Sequence, residues 1–159
     1  MKQIPLNPTD KICSHIDAIF GTGVSNLLPQ DLNFEYSKRS GRIRNFSIGN
    51  HLVGTMRTDG GIALTIFGAE ELLKNKQFIE NCIIPIYEAI PFISEGRSLF
   101  CKHVEWCGSN VKVGSDVAII DRYRRVLAIG RALLGANLMK RYYKGVAVKV
   151  REGIKGRAR

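Results

Sequence analysis

Residues 126–151, VLAIGRALLGANLMKRYYKGVAVKVR, constrain the fold of this 159-residue chain more than any other stretch. An apolar run, Val126 to Ile129, halts at Gly130, and a short segment with few β-branched residues follows to Met139. The basic cluster Lys140-Arg141-Tyr142-Tyr143-Lys144 then leads to Gly145. The stretch closes on Val146-Ala147-Val148-Lys149-Val150-Arg151, where apolar and basic residues alternate. A period of two points one face of a strand into a core and the other at solvent. The pattern therefore predicts a last strand whose outer face carries Lys149 and Arg151.

Charge is distributed to match. The chain has a formal net charge of +10, yet residues 122–159 hold 12 Lys and Arg against one acid, Glu152, a net of +11. Residues 1–121 hold the other 12 bases against 13 acids, a net of −1. A one-sided positive field attracts polyanions, nucleic acid first among them. A solvated face with a frayed basic tail is the plainer alternative.

Cysteine usage and hydropathy exclude several classes. Cys13, Cys82, Cys101 and Cys107 form no C-x-x-C pair, and no apolar run approaches the ~18 residues of a membrane span. A cytoplasmic, reduced protein whose cysteines serve as small core residues is expected, with no membrane partner. Cys101-x-His103 with Cys107 lacks a fourth ligand at zinc spacing, so no metal is expected. Gly21-x-Gly23 has no preceding strand and no third glycine, and reads as a helix stop; no cofactor is expected.

The first half reads as helix, sheet, helix. Asn7-Pro8-Thr9-Asp10 offers a cap before a helix over residues 11–20, with Ile12, His15, Ile16 and Ile19 at helical spacing. Alternation then predicts strands over residues 32–36, 42–48, 52–56 and 62–67, with turns at Ser37–Gly41, Gly49-Asn50 and Asp59-Gly60-Gly61. A second helix is expected from Gly68. The second half reads as short strands: 83–87, demoted to an edge by Pro85, one strand over 98–106, then 117–121, 126–129 and 146–151. A helical turn over 89–93 ends at Gly96, and Val113-Gly114-Ser115-Asp116 reads as a turn. Short strands at this spacing suggest a small barrel. The fold class is α+β: a helix-on-antiparallel-sheet domain over residues 1–80, a β pseudo-barrel over 82–152, and a basic tail over 153–159 containing Lys155, Arg157 and Arg159.

The motifs carry a resemblance. Pro91-Phe92-Ile93-x-x-Gly96-Arg97-Ser98-Leu99-Phe100, Gly114-x-Asp116-Val117, Leu127-Ala128-x-Gly130-Arg131-Ala132 and Lys144-Gly145-x-Ala147-Val148-x-Val150-Arg151 closely resemble a PUA domain. This is the RNA-binding pseudo-barrel of pseudouridine synthases and archaeosine transglycosylases. Ser40-Gly41-Arg42-Ile43-Arg44, Gly54-Thr55-Met56-Arg57-Thr58-Asp59-Gly60 and Leu64-Thr65-x-x-Gly68-Ala69 resemble the segment before PUA in archaeal tRNA-guanine transglycosylases. The catalytic part of that family is a (β/α)₈ barrel of about 250 residues, which this sequence does not contain. The resemblance implies a non-catalytic tRNA-holding protein, gripping the acceptor stem and CCA end, with a separate catalytic subunit as a further partner. An adaptor that uses the PUA barrel as scaffold, in a ribosome- or RNA-modification-linked complex, is the alternative.

Residue roles follow from the resemblance. A PUA domain grips an RNA helix end with the turn after its first helix, its second strand and its last strand. Gly96 and Gly130 would let backbone approach RNA; a positive-φ helix stop and a barrel-corner bend are their structural alternatives. Arg97, Lys102, Arg131, Lys144, Lys149 and Arg151 would contact phosphates. Tyr142 and Tyr143 could stack on an unpaired base, with at least one of them expected in the core instead. Arg42, Arg44 and Arg57 form a second basic group, for RNA or a partner subunit. His15, His51 and His103 show no nucleophile–base spacing, and Asp59 beside Gly60 reads as a turn former. Catalysis is not expected from these residues.

Overall fold

The computed structural model describes residues 7–157. Helix α1 (Pro8–Phe20) starts where Asn7 accepts a hydrogen bond from the Asp10 N–H and Pro8 occupies the first turn. It stops at Gly21, whose φ of 126° suits only glycine, and buries Ile12, Ile16 and Phe20. Four antiparallel strands follow in sequential order: β1 (Asn33–Tyr36), β2 (Ile43–Ile48), β3 (His51–Met56) and β4 (Ile62–Leu64). Helix α2 (Ile66–Leu73) begins two residues before the expected Gly68, because the Thr65 hydroxyl accepts the Gly68 N–H and caps it. A Cβ on Gly68 would collide with the Val53 carbonyl, so glycine sets how closely α2 lies on β3.

The second half is a curled mixed sheet. Its strands are β5 (Cys82–Pro85), β6 (Leu99–Phe100), β7 (Val104–Cys107), β8 (Asp116–Ile120), β9 (Val126–Ala132), β10 (Val146–Gly153) and β11 (Gly156–Arg157), with short helices α3 (Ile90–Ser94) and α4 (Ala136–Met139). The order is β11-β10-β9-β8-β5-β7, and β6 also pairs with β10. Since β6 runs through one 3-10 turn, Cys101–His103, into β7, residues 99–107 join the two ends of the sheet and curl it into a half-barrel. The expected single strand over 98–106 is thus two strands and a turn, because it must change sheet partners midway.

Pro85 does not mark an edge. Strand β5 lies between β7 and a parallel neighbour, β8, and Pro85 is its last residue, after a register shift at Ile84/Pro85. There the missing N–H interrupts no regular ladder. Asp116, expected in a turn, opens β8 and is buried.

Strand β8 is apolar on both faces, and this decides how the halves sit. Ala118 and Ile120 join the core of the N-terminal half, with Phe20, Phe46 and Phe78, while Val117 and Ile119 join the barrel interior with Leu99, Val148 and Val150. Polar groups stitch the same contact: the Asn110 amide donates to the Ile19 carbonyl at 3.1 Å, and the Asn81 amide to the Phe20 carbonyl at 2.7 Å. After β10 the chain turns back, and Glu152 pairs with Arg157 in a short hairpin. Arg159 lies outside the described residues. No helix among the described residues is long and apolar enough to cross a bilayer.

Candidate nucleic-acid interface

Strand β10 carries the face that the alternation predicts. Ala147, Val148 and Val150 are buried, while Lys149 and Arg151 are exposed. Lys149 stands opposite Arg131 of β9, and Val150 opposite Gly130. A Cβ on Gly130 would collide with the Lys149 carbonyl, so the close approach at this glycine is made by the protein's own neighbouring strand. Gly96 is likewise a backbone device. It is buried at φ 96°, and its N–H donates to the Ile93 carbonyl at 2.9 Å, ending α3.

The basic residues expected to meet phosphate divide into two sets. Arg151 is committed inward: its Nη1 and Nη2 each donate to the Asp116 carboxylate at 2.9 Å, and Nη2 also donates to the Leu64 carbonyl at 2.7 Å. The Leu64 N–H in turn donates to Asp116 at 2.7 Å. Asp116, whose side chain is 2% exposed, thereby ties β8 and β10 of the barrel to β4 of the first sheet. Arg131 leans toward the same seam, 3.5 Å from Asp59. Asp59 also accepts from the Gly61 N–H at 2.9 Å and from Arg57 at 2.8 Å. The Gly61 hydrogen bond, followed by the charges of Arg57 and Arg131, holds its carboxyl below the ordinary carboxylate value.

The other set is free. Lys102, Lys144 and Lys149 are exposed, and no carboxylate among the described residues forms an ion pair with them. Arg97 is exposed and lies over the Phe92 ring at 5.6 Å. Lys140 and Arg141, which spacing alone does not single out, occupy the same loop as Lys144, are exposed, and also form no ion pair among the described residues. That loop is pinned at both ends. Fully buried Met139 anchors its start in the barrel core, and at its end the Gly145 carbonyl accepts the Cys101 N–H at 2.9 Å. Between these anchors every residue from 140 to 144 points to solvent. Tyr142 is 54% and Tyr143 75% exposed, so neither packs in the core as one was expected to. Phe100 of β6, paired with Val146, adds a third exposed ring beside the loop. Cations interleaved with exposed aromatic rings can pair with phosphates and stack on bases.

Arg42, Arg44 and Arg57 also come together. They line one groove of about 830 Å³ between α1 and the two turns β1–β2 and β3–β4. His15 bonds the Gly60 carbonyl at 2.6 Å, and His51 and His103 rest edge-on against Phe67 and Phe100. Burial raises the thiol of Cys107 to about 11 and that of Cys82 higher still. Among the described residues no group of three or more His, Cys, Asp or Glu could hold a metal ion.

Family models match both halves: the patch-forming domain C2 of tRNA-guanine transglycosylase over residues 12–78, and the PUA domain over residues 86–154. The chain joins a transglycosylase C2 domain to a PUA domain. Curated relatives span both. A tRNA-guanine(15) transglycosylase of Methanobrevibacter smithii is 33% identical over 147 residues, which cover 91% of this chain and 22% of the relative. That of Methanothermobacter thermautotrophicus is 34% identical over 146 residues, again 91% and 22%. The chain therefore spans about a fifth of the length of these relatives. Solved structures agree on the fold. A hypothetical protein from Pyrococcus horikoshii superposes with a TM-score of 0.71 at 20% identity, covering 94% of this chain and 93% of that one. A PUA domain protein from Aeropyrum pernix gives 0.65 at 13% identity, covering 96% and 85%.

Proposed function

We propose that this C2–PUA pair is a tRNA-holding module of archaeosine-forming tRNA-guanine transglycosylation, non-catalytic in itself and acting beside the catalytic part in the cytoplasm. The observation that carries the reading is the loop of residues 140–144, three cations and two tyrosines, all exposed and anchored at both ends. With Lys102 and Lys149 it offers five cations that form no ion pair with a carboxylate among the described residues. The acceptor end suits this surface: the cations take the phosphates of the paired stem, and Tyr142 and Tyr143 stack on the unpaired CCA bases. Asp116 and Arg131 at the seam, with Arg151, set the C2 domain against the PUA face instead of touching RNA.

Titration of intact tRNA against tRNA lacking its 3′ CCA tests this. Five phosphate contacts give a slope of about −4 to −5 in log affinity against log salt, a loss of two to three orders of magnitude between about 50 and 200 mM. Tighter binding of intact tRNA with such a slope supports the reading. Equal and weak binding to both, no better than to duplex DNA, overturns it.

A further inference from the structure

The groove on the C2 domain is not used by the reading above, and its chemistry is particular. Its rim carries Lys11, Arg42, Arg44 and Arg57; Arg44 lies 3.7 Å from Glu35 and Arg57 2.8 Å from Asp59, while Lys11 and Arg42 form no ion pair among the described residues. Beneath the rim lie apolar surfaces, including Ile43, and the ring of Tyr36, which is 48% exposed. The His15 bond to the Gly60 carbonyl, at 2.6 Å, fixes the β3–β4 turn to α1 and so fixes the width of the cleft. A volume of about 830 Å³ falls within the range of sites that enclose small molecules, about 300–1,000 Å³.

A cationic rim over an apolar, aromatic floor fits an unpaired nucleotide better than a duplex. A duplex offers only phosphates and groove edges on its outside, which would leave Tyr36 and Ile43 unused. An unstacked base places a π-face on the floor and its phosphates on the rim. Position supports the same ligand. Arg57 of the groove donates to Asp59 at 2.8 Å, Arg131 approaches the same carboxylate at 3.5 Å, and Arg131 stands opposite Lys149 in the β9–β10 ladder. The groove is thus linked to the PUA face through one shared acid, Asp59.

We infer that this groove binds unpaired nucleotides of the same RNA whose paired end the PUA face holds. The inference rests on the RNA reading above, and the test separates the two. The probes are a hairpin with blunt ends and the same hairpin with a single-stranded extension of about eight nucleotides at either end, the length an extended strand site takes. Affinities are measured by fluorescence anisotropy for the full chain and for three variants: Arg42→Ala with Arg44→Ala, Tyr36→Ala, and Lys144→Ala on the PUA loop. All four residues are exposed, so the variants fold, which a thermal melt checks. The full chain gains about tenfold from the extension, and both groove variants lose that gain while binding the blunt hairpin unchanged. Lys144→Ala weakens both RNAs. Groove variants that keep the full gain, with Lys144→Ala still weakening both RNAs, overturn the groove and leave the RNA reading standing. Loss in the arginine pair but not in Tyr36→Ala overturns base stacking and points to an acidic chain, peptide or phosphate, tracked by charge alone. Indifference of both RNAs to Lys144→Ala overturns the RNA reading itself.

Discussion

Replacing Arg151 by alanine separates a structural bridge from an RNA contact on one strand. The substitution removes two of the three donors to the Asp116 carboxylate and leaves only the Leu64 N–H, while the Leu64 carbonyl loses the Arg151 Nη2. Breaking a buried pair by removing one partner costs about 3–5 kcal/mol, because the remaining charge stays desolvated. Asp116 meets that condition with a side chain 2% exposed, but Arg151 is 40% exposed, so water enters where the guanidinium was. The net cost is therefore smaller, about 2–3 kcal/mol, or about 5–10 °C in Tm for a chain of this size. Lys149→Ala is the internal reference: it lies two residues away on the same outer face, with no ion pair among the described residues, and should fall within about ±0.5 kcal/mol. Urea denaturation gives both values, and a double-mutant cycle with Asp116→Asn isolates the pair. Hydrogen exchange adds a local readout, since the Leu64 amide should lose protection ahead of the remainder of β4. If Arg151→Ala costs no more than Lys149→Ala yet weakens RNA binding, Arg151 is a phosphate contact and the bridge reasoning is refuted.

Three further outcomes follow from particular contacts. Gly130→Ala forces a Cβ against the Lys149 carbonyl and should cost about 1–3 kcal/mol, read from the urea midpoint; a neutral effect would mean β10 can move away freely. Tyr143→Ala, at a residue 75% exposed, should leave the melting temperature unchanged while weakening binding of CCA-bearing tRNA by about 1–3 kcal/mol, and a drop in stability instead would place the ring in packing. Asp59 has its folded-state pKa below the ordinary 3.8, so its contribution to stability is present above that value and lost as pH falls through the folded pKa. Asp59→Asn should accordingly flatten the acid limb of the stability profile below about pH 4, and an unaltered limb would count against the Gly61, Arg57 and Arg131 contacts.

Local pattern determined much of this protein. Apolar and basic residues alternating over 146–151 sufficed to put Lys149 and Arg151 on the outer face of β10, because side-chain direction along a strand is a property of the backbone alone. Gly21 ended α1 where expected, while the Asn7 cap opened it at Pro8, three residues before the expected start, since caps and positive-φ stops act within one turn. The α+β class and the PUA and C2 resemblances were legible in short motifs. Where the reading went astray, a neighbour distant in sequence decided the matter. Pro85 looked like an edge residue until β7 and β8 flanked it, and residues 98–106 looked like one strand until they had to pair with both β10 and β5. Tyr142 and Tyr143 could not be assigned to core or surface, since an anchored loop shows no period.

Only the tertiary structure decided which cations are free. Lys149 and Arg151 are indistinguishable by spacing, charge and strand face. Asp116, 35 residues before Arg151 in the chain, reaches one and not the other, and Leu64, 87 residues away, completes the bridge. Whether a surface arginine meets a partner or holds its own fold together depends on which carboxylate lies within about 4 Å, and folding alone sets that distance.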